Sequence, residues 1–411
     1  MKKYLFCLYL LLIPLLTISC NSTLTTNETT QIFLGGYHSS LITQDGEVYI
    51  WGRNMYGGLG DSTRTSKSTP IDITSELNLE SREIIIQMSL GNHHSAAVTS
   101  GGRLLTWGNN QYGQLGDDTT IDKLTPVDVT SQFNLNNDEK IIQVSFNGVS
   151  SSAITSDGRI FTWGGKTLDI GILVAESVPV DITSEFNLNP GEKIIQVSLG
   201  GFHYSVITSE GRIFTWGQND NGQLGDGTTT YSSAPIDITS QFSFDEEEKI
   251  IQVSLGGSHS SVITSKGRIF TWGENDNGQL GDGTTTDILT PYNITANFNL
   301  NQAERITQVS LGGFHYSVIT SEGRIFTWGS NFAGKLGDGT TVDSSIPIDI
   351  TSQFNLDAGE TITHVALGLF HSSAITSEGR IFTWGENEYG QLGDGTIVDS
   401  STPVDITSQF N

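Results

Sequence analysis

Hydrophobic and polar residues alternate along this chain in short bursts, and the bursts return at a fixed interval. In the copy spanning 249–301, Ile250-Ile251-Gln252-Val253-Ser254-Leu255 is β-branched and alternating, which predicts a strand. Gly256-Gly257 then turns the chain. His259 to Thr264 is a second predicted strand, Ser265-Lys266-Gly267 a hairpin turn, and Arg268 to Trp272 a third strand. Both faces of that third strand carry apolar side chains, as a sheet packed between two neighbours needs. A polar loop rich in Gly, Asn and Asp runs from Gly273 to Gly283. Pro291 to Thr295 predicts a short fourth strand at the sheet edge, where proline is tolerated. No stretch carries a long helical period.

The Trp-Gly pair that ends each third strand measures the repeat. It begins at Trp51, Trp107, Trp163, Trp216, Trp272, Trp328 and Trp384, which are all seven tryptophans of the chain. Successive subtraction gives steps of 56, 56, 53, 56, 56 and 56 residues. A period in this range marks a stacked or circular array. An open array needs distinct polar caps, and neither Gln31-Ile32-Phe33-Leu34 nor Asp405-Ile406-Thr407 is one. Seven units of four antiparallel strands therefore predict an all-β, seven-bladed β-propeller over 31–411. The third copy is shorter across Gly164 to Val178 and lacks the Asn-x-x-Gly-Gln-Leu-Gly loop.

The motif Gly-Gly-x-His-Ser, followed by Thr-x-x-Gly-x-x-x-x-Trp-Gly-x-Asn-x-x-Gly-Gln-Leu-Gly, resembles the RCC1 (regulator of chromosome condensation) repeat. It is legible from Gly35 to Gly60, Gly91 to Gly116, Gly200 to Gly225, Gly256 to Gly281, Gly312 to Gly337 and Gly368 to Gly393. The resemblance implies the same seven-bladed ring. It implies less about activity, because RCC1-like proteins include Ran exchange factors that bind chromatin, photoreceptors, ubiquitin-ligase modules and secreted β-lactamase inhibitors. The exchange factors use a protruding hairpin as a wedge, and no insertion here supplies one.

The ends and the charge narrow the setting. Lys2 and Lys3 precede an apolar run from Tyr4 to Leu16, then Thr17-Ile18-Ser19-Cys20, the layout of a secretory signal over 1–20. The small residue before Cys20 resembles the lipobox of bacterial lipoproteins, which implies lipid on Cys20 and an extracytoplasmic, membrane-anchored domain. Thr17 departs from the Leu usual in that motif, and simple secretion is the alternative. Residues 21–30, rich in Ser, Thr and Asn, are expected to be a flexible tether. A net charge of −25 repels phosphate backbones, so nucleic acid is not expected as a partner, and it favours a dispersed monomer.

Candidate chemistry is sparse. No nucleophile elbow, zinc-protease or phosphate-cradling motif is present, and no catalytic residue, metal or cofactor is expected. Seven equivalent positions do not make the asymmetric constellation that catalysis needs. The repeated His38, His94, His203, His259, His315 and His371, with Ser150 in the third copy, are expected to bond backbone within their own blades. The repeated Trp is expected between blades, and the repeated Arg, replaced by Glu47 in the first copy, is expected to cap a blade edge by snorkelling or by pairing with a carboxylate. Asp276-Asn277-Gly278 and Asp282-Gly283 supply hard oxygens, but their spacing misses the calcium-loop pattern. The variable positions around the repeated His carry more information: Tyr37, Phe202, Phe314 and Phe370 before it, Tyr204 and Tyr316 after it. Exposed together on one face, these aromatics would bind a protein or glycan partner; the alternative is that each fills the groove to the next blade. A scaffold of this kind is the expected function, with an inhibitor of an exported enzyme such as a β-lactamase, or an exchange factor for a small GTPase, as the other two readings.

Overall fold

Seven four-stranded antiparallel sheets stand in a ring in the computed structural model, which describes residues 30–167, 173–245 and 247–410. The expected signal segment 1–20, with Cys20, and nearly all of the tether lie outside the described residues. Each blade is four consecutive strands, spanning 31–72, 85–128, 141–181, 194–237, 250–293, 306–349 and 362–405. In the fifth blade these are Ile250–Leu255, His259–Thr264, Ile269–Gly273 and Ile288–Asn293. The fourth strand thus begins three residues before the expected Pro291. The sheet register explains the difference. Gly273 pairs with Ile288 and Thr271 with Tyr292, so a bulge between them leaves Pro291 outside the paired positions on the outermost strand.

Each blade is joined to the next by one turn of 3-10 helix, Thr295–Phe298 after the fifth, which the strand pattern does not predict. Asn293 Oδ1 accepts from the Thr295 backbone N–H at 3.0 Å, and the Thr295 hydroxyl accepts from Ile269 N–H at 3.0 Å. The turn drives Phe298 against Phe326 and Trp328 of the following blade, with ring centroids 5.3 and 5.5 Å apart. The core is accordingly a set of clusters between blades. One of them joins Ile263 and Ile269 of the fifth blade to Val309, Val318 and Trp328 of the sixth.

The repeated polar residues fasten those junctions. Gln252 near the axis bonds both Val309 O (2.8 Å) and Val309 N–H (3.1 Å) of the next blade. Four of the repeated histidines, His38, His203, His315 and His371, reach across as well, contrary to the expectation of a bond within their own blades, while the ring nitrogens of His94 and His259 have no hydrogen-bond partner among the described residues. His203 Nε2 lies 3.0 Å from Ser260 Oγ, and Ser260 donates to the Gln223 carbonyl at 2.8 Å. Since the serine's proton is committed there, the histidine must carry its own proton on Nε2. Trp272 Nε1 donates to the same Gln223 carbonyl at 2.9 Å. The ring closes by this device too. Trp51 Nε1 donates to Gln391 O at 2.9 Å, and Ser39 Oγ meets His371 Nε2 at 2.8 Å, and among the described residues no strand is exchanged between the first and last blades.

Candidate functional site

In an up-and-down blade, the turn from strand one to strand two and the loop from strand three to strand four leave the same end of the sheet. All these segments therefore share one face of the ring. The scaffold residues repeat around it, so any site must come from positions where copies differ.

Blade three lacks the common loop, and aromatic and cationic substitutions gather in blades six, seven, one and two. Tyr37 of blade one stacks on His93 of blade two (centroids 5.2 Å, planes 9° apart) and meets Phe370 of blade seven at 5.6 Å. Tyr389 of blade seven lies edge-on to Tyr37 at 5.8 Å, and Tyr56 packs on His93 at 5.0 Å. The Arg53 guanidinium sits between Tyr37 and Tyr389, 5.0 and 4.4 Å from their centroids. Lys335 Nζ lies 5.8 Å from the Phe314 ring and 5.7 Å from that of Phe370. At the open edge, Phe332 is 62% and Met55 50% exposed.

The two cations of this sector differ from the repeated arginines. The repeated arginines Arg103, Arg159, Arg212, Arg268, Arg324 and Arg380 each hold a buried glutamate, as Arg268 holds Glu248. Arg53 and Lys335 form no ion pair among the described residues, and Arg53 Nε is buried without a hydrogen-bond partner. Burial lowers the Lys335 ammonium to about 8. Burial, followed by the charge of Arg53, lowers His93 to about 4, so the imidazole is neutral at pH 7. Glu386, raised by burial and then by Asp399, lies within electrostatic reach of both cations. Blades four and five present Asp220 and Asp276 where blades one and six present Met55 and Phe332. Blade seven carries the exposed Glu388 at this position and blade two Gln111, so the apolar side chains mark blades one and six alone.

The structure distributes the expected site residues unevenly. Tyr37, Phe314 and Phe370 join this sector and are half-buried. Phe202 is 42% exposed, but on blade four. Tyr204 is half-buried, stacked on Trp216 at 5.2 Å. Tyr316 corrects the expectation of an exposed aromatic. It is fully buried, stacked on Trp328 at 4.8 Å, and its hydroxyl donates to Ser260 O at 3.1 Å. Strand two alternates faces, so the residue after the histidine points between blades. Arg53, Met55, Tyr56, His93, Phe332, Lys335 and Tyr389 were not expected as site residues. A signal existed for Lys335, which stands where Gln114, Gln223, Gln279 and Gln391 stand in other copies. The acidic loops hold their own carboxylates: Asp282 accepts from Asn275 Nδ2 at 3.2 Å and from Thr284 N–H and its hydroxyl at 3.0 Å.

Comparison with known proteins gives consistent relatives. The family model described as RCC1-like domain matches residues 169–411, and that described as regulator of chromosome condensation (RCC1) repeat matches 45–98 and 101–152. The ultraviolet-B receptor UVR8 of Arabidopsis thaliana is 28% identical over 375 residues, covering 90% of this chain and 80% of the receptor. The E3 ubiquitin-protein ligase HERC2 of Mus musculus is 28% identical over 364 residues, 87% of this chain but 7% of the ligase. Human WBSCR16 superposes with a TM-score of 0.75 at 22% identity, covering 88% of this chain and 93% of that one. Yeast RCC1 (Prp20), bound to Kap60, gives 0.73 at 20% identity, covering 88% and 83%.

Proposed function

The chain belongs to the RCC1-like domain family, and from that premise we propose that it is a non-enzymatic scaffold that binds a protein partner through the sector formed by blades six, seven, one and two. The observation that carries the reading is the half-buried Arg53, flanked by the Tyr37 and Tyr389 rings without an ion-pair partner among the described residues and set beside the exposed Phe332 and Met55; Lys335, 1% exposed, lies beneath this patch. Interfaces concentrate their energy in arginine and aromatic anchors set in a partly desolvated patch. Tyr37, Phe370 and Tyr389 supply rigid rings, while Phe332 and Met55 offer apolar surface at the edge. The yeast relative Prp20p is described by its binding to Gsp1p and histones, so one propeller of this fold has protein ligands.

The proposed setting is extracytoplasmic, with the domain held to a membrane by lipid on Cys20; it rests on the sequence of residues 1–20. That setting disfavours an exchange factor for a small GTPase and keeps inhibition of an exported enzyme as the second reading. Capture experiments with the domain from Gln31 onward test the site. Phe332→Ser together with Met55→Ser should leave the thermal midpoint unchanged and abolish capture of the partner held by the unaltered protein. Undiminished capture by this folded variant would move the binding surface elsewhere. In parallel, Cys20→Ala should release the full chain from the membrane pellet; unchanged partition would remove lipid from the account.

A further inference from the structure

Blade one is docked into the ring differently from the other six. The first strands of neighbouring blades contact one another around the axis. At five junctions, from blade two round to blade seven, a side-chain clamp fastens them. A glutamine of one blade bonds both the N–H and the carbonyl of a valine on the next, as Gln308 does with Val365 at 3.3 and 3.0 Å. Two residues on, a serine accepts from a further N–H of the next blade, as Ser310 does from Leu367 at 3.1 Å.

The two junctions of blade one carry neither bond among the described residues. Toward blade seven, His364 and Ala366 stand where the glutamine and the serine stand in the other copies. The His364 ring meets Thr363 Oγ1 of its own strand at 3.1 Å, and Ala366 has no hydroxyl to offer. Toward blade two, Phe33 takes the serine's place and packs into the apolar cluster between the two blades. Gln31 occupies the glutamine position, and its side chain makes no bond to Met88, which occupies the valine position. A second fastening is also lost. Glu47 replaces the arginine that elsewhere holds the incoming linker, as Arg268 holds the Ser243 carbonyl at 3.0 Å. Blade one is joined through the chain to blade two, by the turn Thr74–Leu77, and meets blade seven by contact alone. Blade three is the internal control: it lacks a loop but keeps the axial clamp at both of its junctions.

We propose that blade one is the latch of the ring: it undocks from blades seven and two as a unit while the other six blades stay folded. Proteins open first where a cooperative unit has the fewest contacts to its neighbours, and hydrogen bonds to inward-facing main chain are among the contacts that resist opening. What remains at these junctions is the tryptophan bond, the histidine–serine contact and apolar packing. Opening has a consequence for the candidate site. Tyr37 and Arg53 ride on blade one, whereas Phe370, Tyr389 and His93 belong to its neighbours. Undocking takes that sector apart, and a partner spanning blades seven, one and two would hold the ring shut. The consequence rests on the proposed binding sector; the latch itself does not.

Hydrogen exchange of the full chain, resolved by mass spectrometry in low urea without any partner, tests the latch. The strands His38–Ile42 and Val48–Gly52 of blade one should exchange at least about tenfold faster than their counterparts His259–Thr264 and Ile269–Gly273 of blade five. The two blade-one strands should share one dependence on urea, as a single opening unit requires. His364→Gln with Ala366→Ser gives blade seven the residues its sister blades carry, so the variant keeps the fold and gains the clamp. It should narrow the gap between blades one and five by at least roughly threefold. Equal exchange in the two blades, release of blade three before blade one, separate urea dependences for the two blade-one strands, or an unchanged gap in the double variant would each overturn the proposal.

Discussion

Mild acid should unfold this protein, and the histidine ring is the reason. His38, His94, His203, His259, His315 and His371 are all fully buried. Burial holds His94, His203, His259 and His371 at about 3, and pushes His38 and His315 well below the usual value. The folded chain therefore keeps six neutral imidazoles while the unfolded chain protonates them below about 6.5. A pKa depressed by folding contributes stability that is full above the unfolded value and is lost as pH falls toward the folded one. At about pH 5.5 each histidine costs roughly 1 to 2 kcal/mol, and the six together on the order of 8 kcal/mol. A domain has about 5–15 kcal/mol to lose. Carboxylates act lower: the Arg-paired Glu192, Glu248 and Glu360 stand at about 2, so their loss begins only below about 4.5. Urea unfolding measured in pH steps from about 7.5 down to about 5 should give a free-energy slope approaching six protons. His259→Ser should remove one proton from that slope, since the third copy already carries Ser150 there and neither ring nitrogen of His259 has a partner. A slope of one proton or less over this range, or an acid midpoint down in the carboxylate region, would refute the reasoning.

Trp272→Ala should cost about 3–5 kcal/mol, read as a lower urea midpoint, because it empties a fully buried site between blades and leaves the Gln223 carbonyl with one donor fewer. Lys335→Gln should stabilise the protein by about 1–3 kcal/mol near pH 7, since glutamine at this position bonds the turn backbone in other copies, as Gln279 Oε1 does with Asn277 N–H at 2.8 Å. That advantage should shrink between about pH 8 and 10.5: burial lowers the folded Lys335 to about 8, so the unaltered fold sheds its buried charge there while the unfolded chain still holds its proton. Tyr316→Ser should destabilise clearly more than Tyr204→Ser in paired thermal melts, because only Tyr316 is sealed under a loop; equal losses would mean that the missing loop exposes nothing.

The repeat decided the ring. Alternating β-branched runs, a tryptophan every 56 residues with one step of 53, and turn glycines at matched places are local and periodic, so one copy predicts the rest. The repeated arginines were legible as edge caps, but snorkelling and pairing were not told apart; in six copies a glutamate 20 residues earlier takes the arginine, as Glu248 takes Arg268. The partners across blades were not legible. His203 and Ser260 stand 57 positions apart, and only ring geometry brings them to 3.0 Å. The candidate site lies further still from the sequence. Tyr37 and Phe370 belong to opposite ends of the chain, and closure makes them neighbours at 5.6 Å. Burial separated residues that the sequence treats alike, sealing Tyr316 while leaving Tyr204 half-open, because a neighbouring blade supplies or withholds the covering loop. Periodicity fixes what each strand does within its blade. Which side chains face solvent, which cations stay unpaired and which donors lack acceptors depend on the adjoining blade, and only the closed ring brings that blade into contact.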